Sequence, residues 1–146
     1  LQSEPGALQL IAQVERRTVD GFINVDNRGF REVGPWQWLG VVGANSFTEY
    51  GERTELSYFG AQESSQWFLQ ASVEAFVGSS GLRVRVYGGT GQTRPTGSLG
   101  EIGYYGLTNV AGVVGSYPII RSRAFNLIAS ATLDGYDGEI QTGTVG

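Results

Sequence analysis

The chain has 146 residues with no cysteine, histidine or methionine, and its formal net charge is −4 at pH 7. The missing side chains exclude disulfides, thiolate nucleophiles, imidazole bases and the commonest zinc ligands, so we expect no catalytic site, metal or cofactor. An acidic chain also argues against a nucleic-acid partner, because such a partner requires clustered lysine and arginine. Without a methionine the sequence lacks a translation start, and we expect it to be part of a longer protein.

Apolar and polar residues alternate along most of the chain, between clusters of glycine, serine and asparagine, and helical periodicity is poor. This pattern predicts an all-β fold, an antiparallel meander of strands joined by turns. The first strand is predicted over residues 8–15 and a short second strand over residues 22–25, with a turn at residues 19–21 between them. We expect these two strands to form a hairpin ahead of the main body.

The main body is predicted to contain about six strands. Their predicted ranges are 35–45, 52–59, 66–77, 82–87, 100–117 and 123–136. The range 100–117 is either one long strand or two strands broken near Asn109. The strand over 66–77 is longer than the roughly five or six residues usual in soluble sheets and suits a tilted membrane strand. Residues 88–91 and the acidic stretch 134–139 are predicted as loops.

The predicted strands have one apolar face and one face that carries charge. The charged positions are Arg53, Glu55, Glu74, Arg83 and Arg85. In a transmembrane barrel these side chains line a water-filled lumen, and the apolar face meets lipid. In the alternative, the same charges keep one face of a sheet in contact with solvent. Alternation shows which residues share a face but does not distinguish lipid from a protein core, so both interpretations stay open.

Two short stretches carry more specific information. In the first, Asp26 and Asn27 are followed by Gly29 and then by Gly34. Asp and Asn side chains bond nearby backbone amides and glycine accepts a positive φ, so this stretch favours a tight turn.

The second stretch lies in the later part of the sequence. It consists of Tyr117, Pro118, Arg121, Ser122, Arg123, Asn126 and Leu127, with Ile119 and Ile120 inside it. Pro118 has no amide donor and is expected at a strand end or turn. Arg121 and Arg123 either share a face, where they could pair with lumen carboxylates, or lie at a solvated loop end.

Both stretches, and the spacing between them, resemble signature sequences of the outer-membrane transporters of two-partner secretion, the hemolysin and filamentous-hemagglutinin activators. The first resembles the junction between the last periplasmic POTRA domain and the barrel, and the second resembles a mid-barrel pattern. The resemblance implies that residues 1–26 are the tail of a POTRA-like domain with its linker. It implies that residues 27–146 are the N-terminal part of a transmembrane β-barrel in the lipid of the bacterial outer membrane. It further implies that the barrel is a pore without enzymatic activity, through which a large partner protein is secreted.

The resemblance is incomplete, because the family's loop that folds back into the pore has no counterpart here and no complete POTRA domain is present. We therefore do not expect the chain to transport a protein by itself. A partial barrel has two open sheet edges, and these favour self-association. The alternative is a soluble extracellular β-sandwich or β-barrel module that binds a ligand or builds a fibre or coat. Its candidate contact residues are Trp36, Trp38, Trp67 and Tyr87.

Overall fold

The computed structural model describes residues 17–48 and 50–143, and its seven strands form one sheet in the order of the sequence. The strands are β1 (Val19–Asp26), β2 (Gln37–Asn45), β3 (Arg53–Ala61), β4 (Gln66–Val77), β5 (Leu82–Thr93), β6 (Tyr105–Arg121) and β7 (Asn126–Gln141). Every neighbouring pair is antiparallel, which confirms the prediction of an all-β meander. A 3-10 turn (Gln62–Ser64) and the short helix α1 (Ser98–Glu101) are the helical elements of this part of the chain. None of its helices is long and apolar enough to cross a membrane.

The start of the sheet differs from the prediction. The expected turn at residues 19–21 is wrong, because β1 begins at Val19 and pairs along its whole length with β2. Residues 19–26 alternate between the two faces of the sheet, as the residues of any strand do. The predicted strand at 8–15 lies outside the described residues, and the division of the chain at residue 26 stays a prediction.

The predicted loops at 88–91 and 134–139 are also wrong, because both stretches lie inside strands β5 and β7. The glycines of β5 make room for a ring from the neighbouring strand: a Cβ on Gly89 would lie 2.8 Å from Cζ of Phe68. The glycine-rich stretch is thus part of the ladder with β4, and the ring of Phe68 explains why glycine occurs inside this strand. Strand β6 is one strand without a break at Asn109, which pairs with Thr90 on one side and Asp137 on the other.

The connections lie at two edges of the sheet, which we call the loop edge and the turn edge. The loop edge holds residues 27–36, 62–65 and 94–104, and the turn edge holds residues 46–48, 50–52, 78–81 and 122–125. Hydrogen bonds connect the three loops of the loop edge. The Ser65 hydroxyl donates to the Val33 carbonyl, and the Arg94 amide donates to the Ser65 carbonyl at 2.5 Å. The Thr96 amide donates to the Glu32 carbonyl at 2.6 Å.

The two faces of the sheet differ in polarity and in exposure. The charged face carries Asp20, Arg53, Glu55, Glu74, Arg83 and Arg85, and the opposite, apolar face carries Val42, Leu56, Val73, Val86, Val113 and Leu133. Leu56 is 50% exposed, whereas the side chain of its neighbour Glu55 is 28% exposed. Among the described residues, Ala61 is the one hydrophobic residue that is buried, and no large side chain is fully buried. The described sheet therefore has no apolar core of its own.

Close packing on the charged face depends on a glycine of β6. Tyr87 and Gly112 are directly opposite each other, and the tyrosine ring lies over the glycine, where a Cβ would come within 2.5 Å of the phenol oxygen. Any larger residue at this position must push the ring away from the sheet.

We predict that Gly112→Ala lowers the free energy of unfolding by about 1–3 kcal/mol, the usual cost of overpacking a filled site. Denaturant unfolding measures this change. Gly115→Ala is the matched control on the same strand, because a Cβ there meets no atom within 4 Å. The control is expected to be neutral or slightly stabilising, and equal losses in both variants would contradict the role given to Tyr87.

Candidate functional site

The charged face is organised around Arg53, the first residue of β3. Its Nη1 atom donates to Oδ1 of Asp20 at 3.0 Å and to Oδ1 of Asn45 at 2.8 Å, and its Nη2 atom donates to Oε2 of Glu55 at 3.1 Å. Asn45 also donates through Nδ2 to Oδ1 of Asp20 at 2.5 Å. One guanidinium thus joins β1, β2 and β3, using the several donors that its planar group offers.

The connection from β3 to β1 passes over a glycine of β2. Gly43 lies between Asp20 and Glu55 in the same row of the sheet. A Cβ on Gly43 would lie 2.8 Å from Nη2 of Arg53 and 3.0 Å from Oδ1 of Asp20. Because Gly43 has no side chain, the guanidinium of Arg53 on β3 reaches the carboxylate of Asp20 on β1, a strand that does not pair with β3.

A second half of the network lies on β4 and β5. Arg85 donates to Oγ of Ser72 at 3.1 Å and stands 3.9 Å from Oε1 of Glu55, whose other carboxylate oxygen accepts from Arg53. Arg83 and Glu74 form a separate ion pair on the same face at 3.4 Å, and the Arg83 guanidinium is 5.0 Å from the centre of the Phe76 ring. Glu55 therefore connects the guanidiniums of β3 and β5, and the network extends from β1 to β5.

The network is balanced in charge and open to water. Its two guanidiniums, Arg53 and Arg85, face the carboxylates of Asp20 and Glu55, and the neighbouring Arg83–Glu74 pair is also neutral, so these ion pairs carry no formal net charge. The side chains are between 28% and 49% exposed, and ion pairs at this exposure contribute little each, because water screens them. Such a surface is suited to contact with water. Within the described ranges, no group of three His, Cys, Asp or Glu side chains is arranged to hold a metal.

The five charged residues expected from the sequence to share a face do lie on one face: Arg53, Glu55 and Arg85 belong to this network, and Arg83 and Glu74 form a separate ion pair beside it. Asp20 was missed by sequence reasoning, which placed that residue in a turn. The signal was present, since Val19, Gly21, Ile23 and Val25 alternate with Asp20 as they do in a strand.

The first motif stretch forms the β1–β2 loop at the loop edge. Asp26 ends β1, and its Oδ1 atom accepts from the Arg28 amide at 3.0 Å, which is the turn expected from an aspartate at this position. The Gly29 amide, two residues beyond Asn27, donates to the Pro35 carbonyl at 2.9 Å. Gly34 has a φ of +87°, a conformation in which a side chain is strained.

The second motif stretch forms the β6–β7 hairpin at the turn edge, so the structure does not bring the two motifs together. Tyr117, Pro118 and Arg121 belong to the end of β6, and Asn126 and Leu127 begin β7. The ladder is irregular between Pro118 and Ile120, as expected for a proline near a strand end.

The turn of this hairpin is closed by Ser122. Its Oγ atom donates to the Phe125 carbonyl at 2.8 Å, and the Phe125 amide donates back to Oγ at 3.0 Å. Arg121 lies opposite Asn126 and Arg123 lies in the turn, and both are exposed. No ion pair of the described residues involves either arginine.

Comparison of the chain with protein-family models, with curated proteins and with solved structures finds no match. The class that the fold itself defines is a one-layer antiparallel meander with one charged and one apolar face.

We predict that Gly43→Ala weakens the hydrogen bonds between Arg53 and Asp20 of β1, because the new methyl group occupies the space that the guanidinium fills. Hydrogen exchange of the β1 amides is expected to accelerate about fivefold to tenfold, which corresponds to roughly one lost hydrogen bond. Gly40→Ala on the same strand is the control, since a Cβ there has no atom within 4 Å. Unchanged exchange in Gly43→Ala would show that β1 does not depend on Arg53.

The turn edge contains a carboxylate whose titration is shifted. Hydrogen bonds from Thr48, whose Oγ1 atom lies 2.6 Å from Oε2 of Glu52, hold the pKa of the Glu52 carboxyl below its ordinary value. The stabilisation of this loop is therefore present above the ordinary pKa of glutamate and is lost as the pH falls through the lowered pKa. An NMR titration of the Glu52 carboxyl carbon measures the shift. Thr48→Val is expected to return the pKa toward its ordinary value, and an unshifted wild-type pKa would contradict the bonds.

Proposed function

We propose that the chain is a segment of an outer-membrane β-barrel of the two-partner-secretion type, part of a pore through which a large partner protein is secreted. The observation that carries the barrel assignment is the reversed polarity of the sheet. Its apolar face is the more exposed one, and its ion pairs lie on the less exposed face. A membrane barrel requires this arrangement, because lipid surrounds the outside and water fills the inside.

The exposed apolar face has the composition of a lipid-facing surface. Val42 is 58% exposed, Leu56 50%, Val73 48% and Val86 52%, and these residues lie on four successive strands. A soluble sheet covers such a surface with a second layer, and no second layer exists in the part of the chain that the structure describes. Lipid is therefore the partner that fits this face.

The apolar zone runs obliquely across the strands. In one row of the apolar face, Tyr58 and Leu69 on β3 and β4 continue into Thr90, Asn109 and Asp137 on β5, β6 and β7. On β7 the apolar residues of this face are displaced toward the turn edge, over residues 127–133. Strands of a membrane barrel tilt by about 35–45°, so a horizontal lipid zone crosses successive strands at different heights. The oblique border is consistent with that tilt.

Strand length supports the same interpretation. β6 has 17 residues and β7 has 16, whereas a tilted strand needs only about 9–11 residues to cross the hydrocarbon layer. The residues of β7 beyond this length include Asp137 and Glu139 on the outward face, where contact with water beyond the lipid is required.

The two motif stretches connect such a barrel to two-partner secretion. The pore acts as a conduit for the secreted partner and needs no bond chemistry or cofactor.

We predict that Leu56→Arg prevents insertion of the chain into phospholipid vesicles, because a guanidinium on the lipid side of a barrel costs about 2–4 kcal/mol near the bilayer centre. Ser57→Arg is the matched control, since Ser57 is the next residue of β3 and lies on the charged face. Insertion is measured by the shift of a heat-modifiable band on a gel and by protection from added protease.

Equal insertion of Leu56→Arg and wild type would contradict the membrane assignment. A chain that is a folded, stable monomer in buffer without detergent would instead support the soluble extracellular module. The encoding reading frame provides a separate test of the transporter type: further alternating strands downstream and a signal peptide upstream are expected.

A further inference from the structure

A cavity of about 650 Å³ lies on the charged face of the sheet, beside the turn edge, and extends from β4 to β7. Its walls include the apolar side chains of Phe76, Pro118 and Ile128 and the guanidiniums of Arg83 and Arg121. Concave sites of about 300–1,000 Å³ with apolar walls and a few polar groups are the usual binding sites for ligands. The ion-pair network described above does not reach into this cavity.

Cross-strand register places polar groups of the cavity in one row. Arg83 of β5 lies opposite Ser116 of β6, and Ser116 lies opposite Ser130 of β7. The two hydroxyl oxygens are 3.1 Å apart and share a hydrogen bond. Arg83 contacts Glu74 through Nη1 at 3.4 Å and has further N–H groups that can donate to an acceptor in the cavity.

The second motif stretch forms the end of the cavity at the turn edge. The Pro118 ring lies against the β4–β5 turn, where a Cβ on Gly81 would come within 3.2 Å of Cγ of Pro118. The irregular ladder after Pro118 places Arg121 opposite Asn126, and both side chains line the cavity. Arg123, two residues further along the chain, does not line it.

The charge of the cavity selects its ligand. Two guanidiniums line it and no carboxylate of the described residues does. Charges interact more strongly beside apolar walls than in bulk water. Phe76 is 43% exposed and Ile120 is 42% exposed on these walls, and exposed apolar side chains around a cavity mark a contact surface. The group that fits is an anion joined to an apolar body.

We propose that this cavity binds an acidic segment of an extended polypeptide. A carboxylate of the segment accepts from Arg121 and from the polar row of Arg83, and an adjacent apolar side chain packs against Phe76 and Pro118. In the proposed pore the segment belongs to the secreted partner, and that assignment rests on the proposed function. An anionic lipid fits less well, because the apolar face suited to lipid is on the other side of the sheet.

A labelled peptide tests the proposal. The probe is a blocked pentapeptide with glutamate between leucine and phenylalanine and glycine at both ends, and its binding to the refolded chain is measured by fluorescence anisotropy. Arg121→Gln is expected to weaken binding about threefold to fivefold, the contribution of one partly exposed ion pair. Arg123→Gln is the matched control, because it removes the same charge from the same hairpin outside the cavity, and little change is expected.

Changes in the peptide test the two halves of the site. Glutamine in place of glutamate is expected to weaken binding to the unsubstituted chain and to remove the difference between that chain and Arg121→Gln. Serine in place of leucine and phenylalanine is expected to weaken binding by roughly tenfold, because the apolar contact with the cavity wall is lost.

Equal weakening by Arg121→Gln and Arg123→Gln would overturn the proposal, since it would show only a general attraction to a basic hairpin. No binding of the peptide below about 1 mM would also overturn it. Binding of phosphatidylglycerol vesicles that depends on Arg121, without peptide binding, would assign the cavity to a lipid headgroup instead. Failed peptide binding with normal vesicle insertion overturns only the cavity, whereas peptide binding that depends on Arg121 together with failed insertion supports the cavity and refutes the membrane assignment.

Discussion

A one-layer sheet leaves both of its faces uncovered, and this constraint governs the rest of the structure. Successive side chains of a strand point to opposite faces, so each face of the sheet has its own composition. In this chain, valine, leucine and tyrosine occupy the more exposed face, and guanidiniums and carboxylates occupy the less exposed one. A water-soluble sheet with one free face has charges on the free side. In this chain the distribution is the opposite, and no second layer covers the exposed apolar face in the part of the chain that the structure describes.

The charged face meets a second requirement, which is that charges on a partly enclosed surface need partners. Arg53 satisfies this by joining three strands at once, and Glu55 shares its two oxygens between Arg53 and Arg85. The glycines matter as much as the charges. Gly43 makes room for a guanidinium and Gly112 for a tyrosine ring, so the residues without side chains determine where the large ones can lie.

Several parts of the site could be predicted because they depend only on alternation. The range predicted for β4 agrees with the structure at both ends, and the five predicted charged residues lie on one face. Three features required long-range information. The glycines of β5 pair with β4 and leave room for the ring of Phe68. Strand β6 continues through Asn109, which pairs with both neighbouring strands, and Asp20 gains its role from Arg53, a residue 33 positions away.

The sequence by itself determined that the chain is a meander of antiparallel strands and which residues share a face, because both follow from a period of two along the backbone. Only the tertiary structure decided which face is the more exposed, since exposure depends on the curvature of the whole sheet and on what packs against it. It also decided that Asp20, Arg53, Glu55 and Arg85 form one network, because cross-strand register brings together residues that are distant in sequence. The oblique border of the apolar zone belongs to the same category, as it exists only once seven strands are aligned.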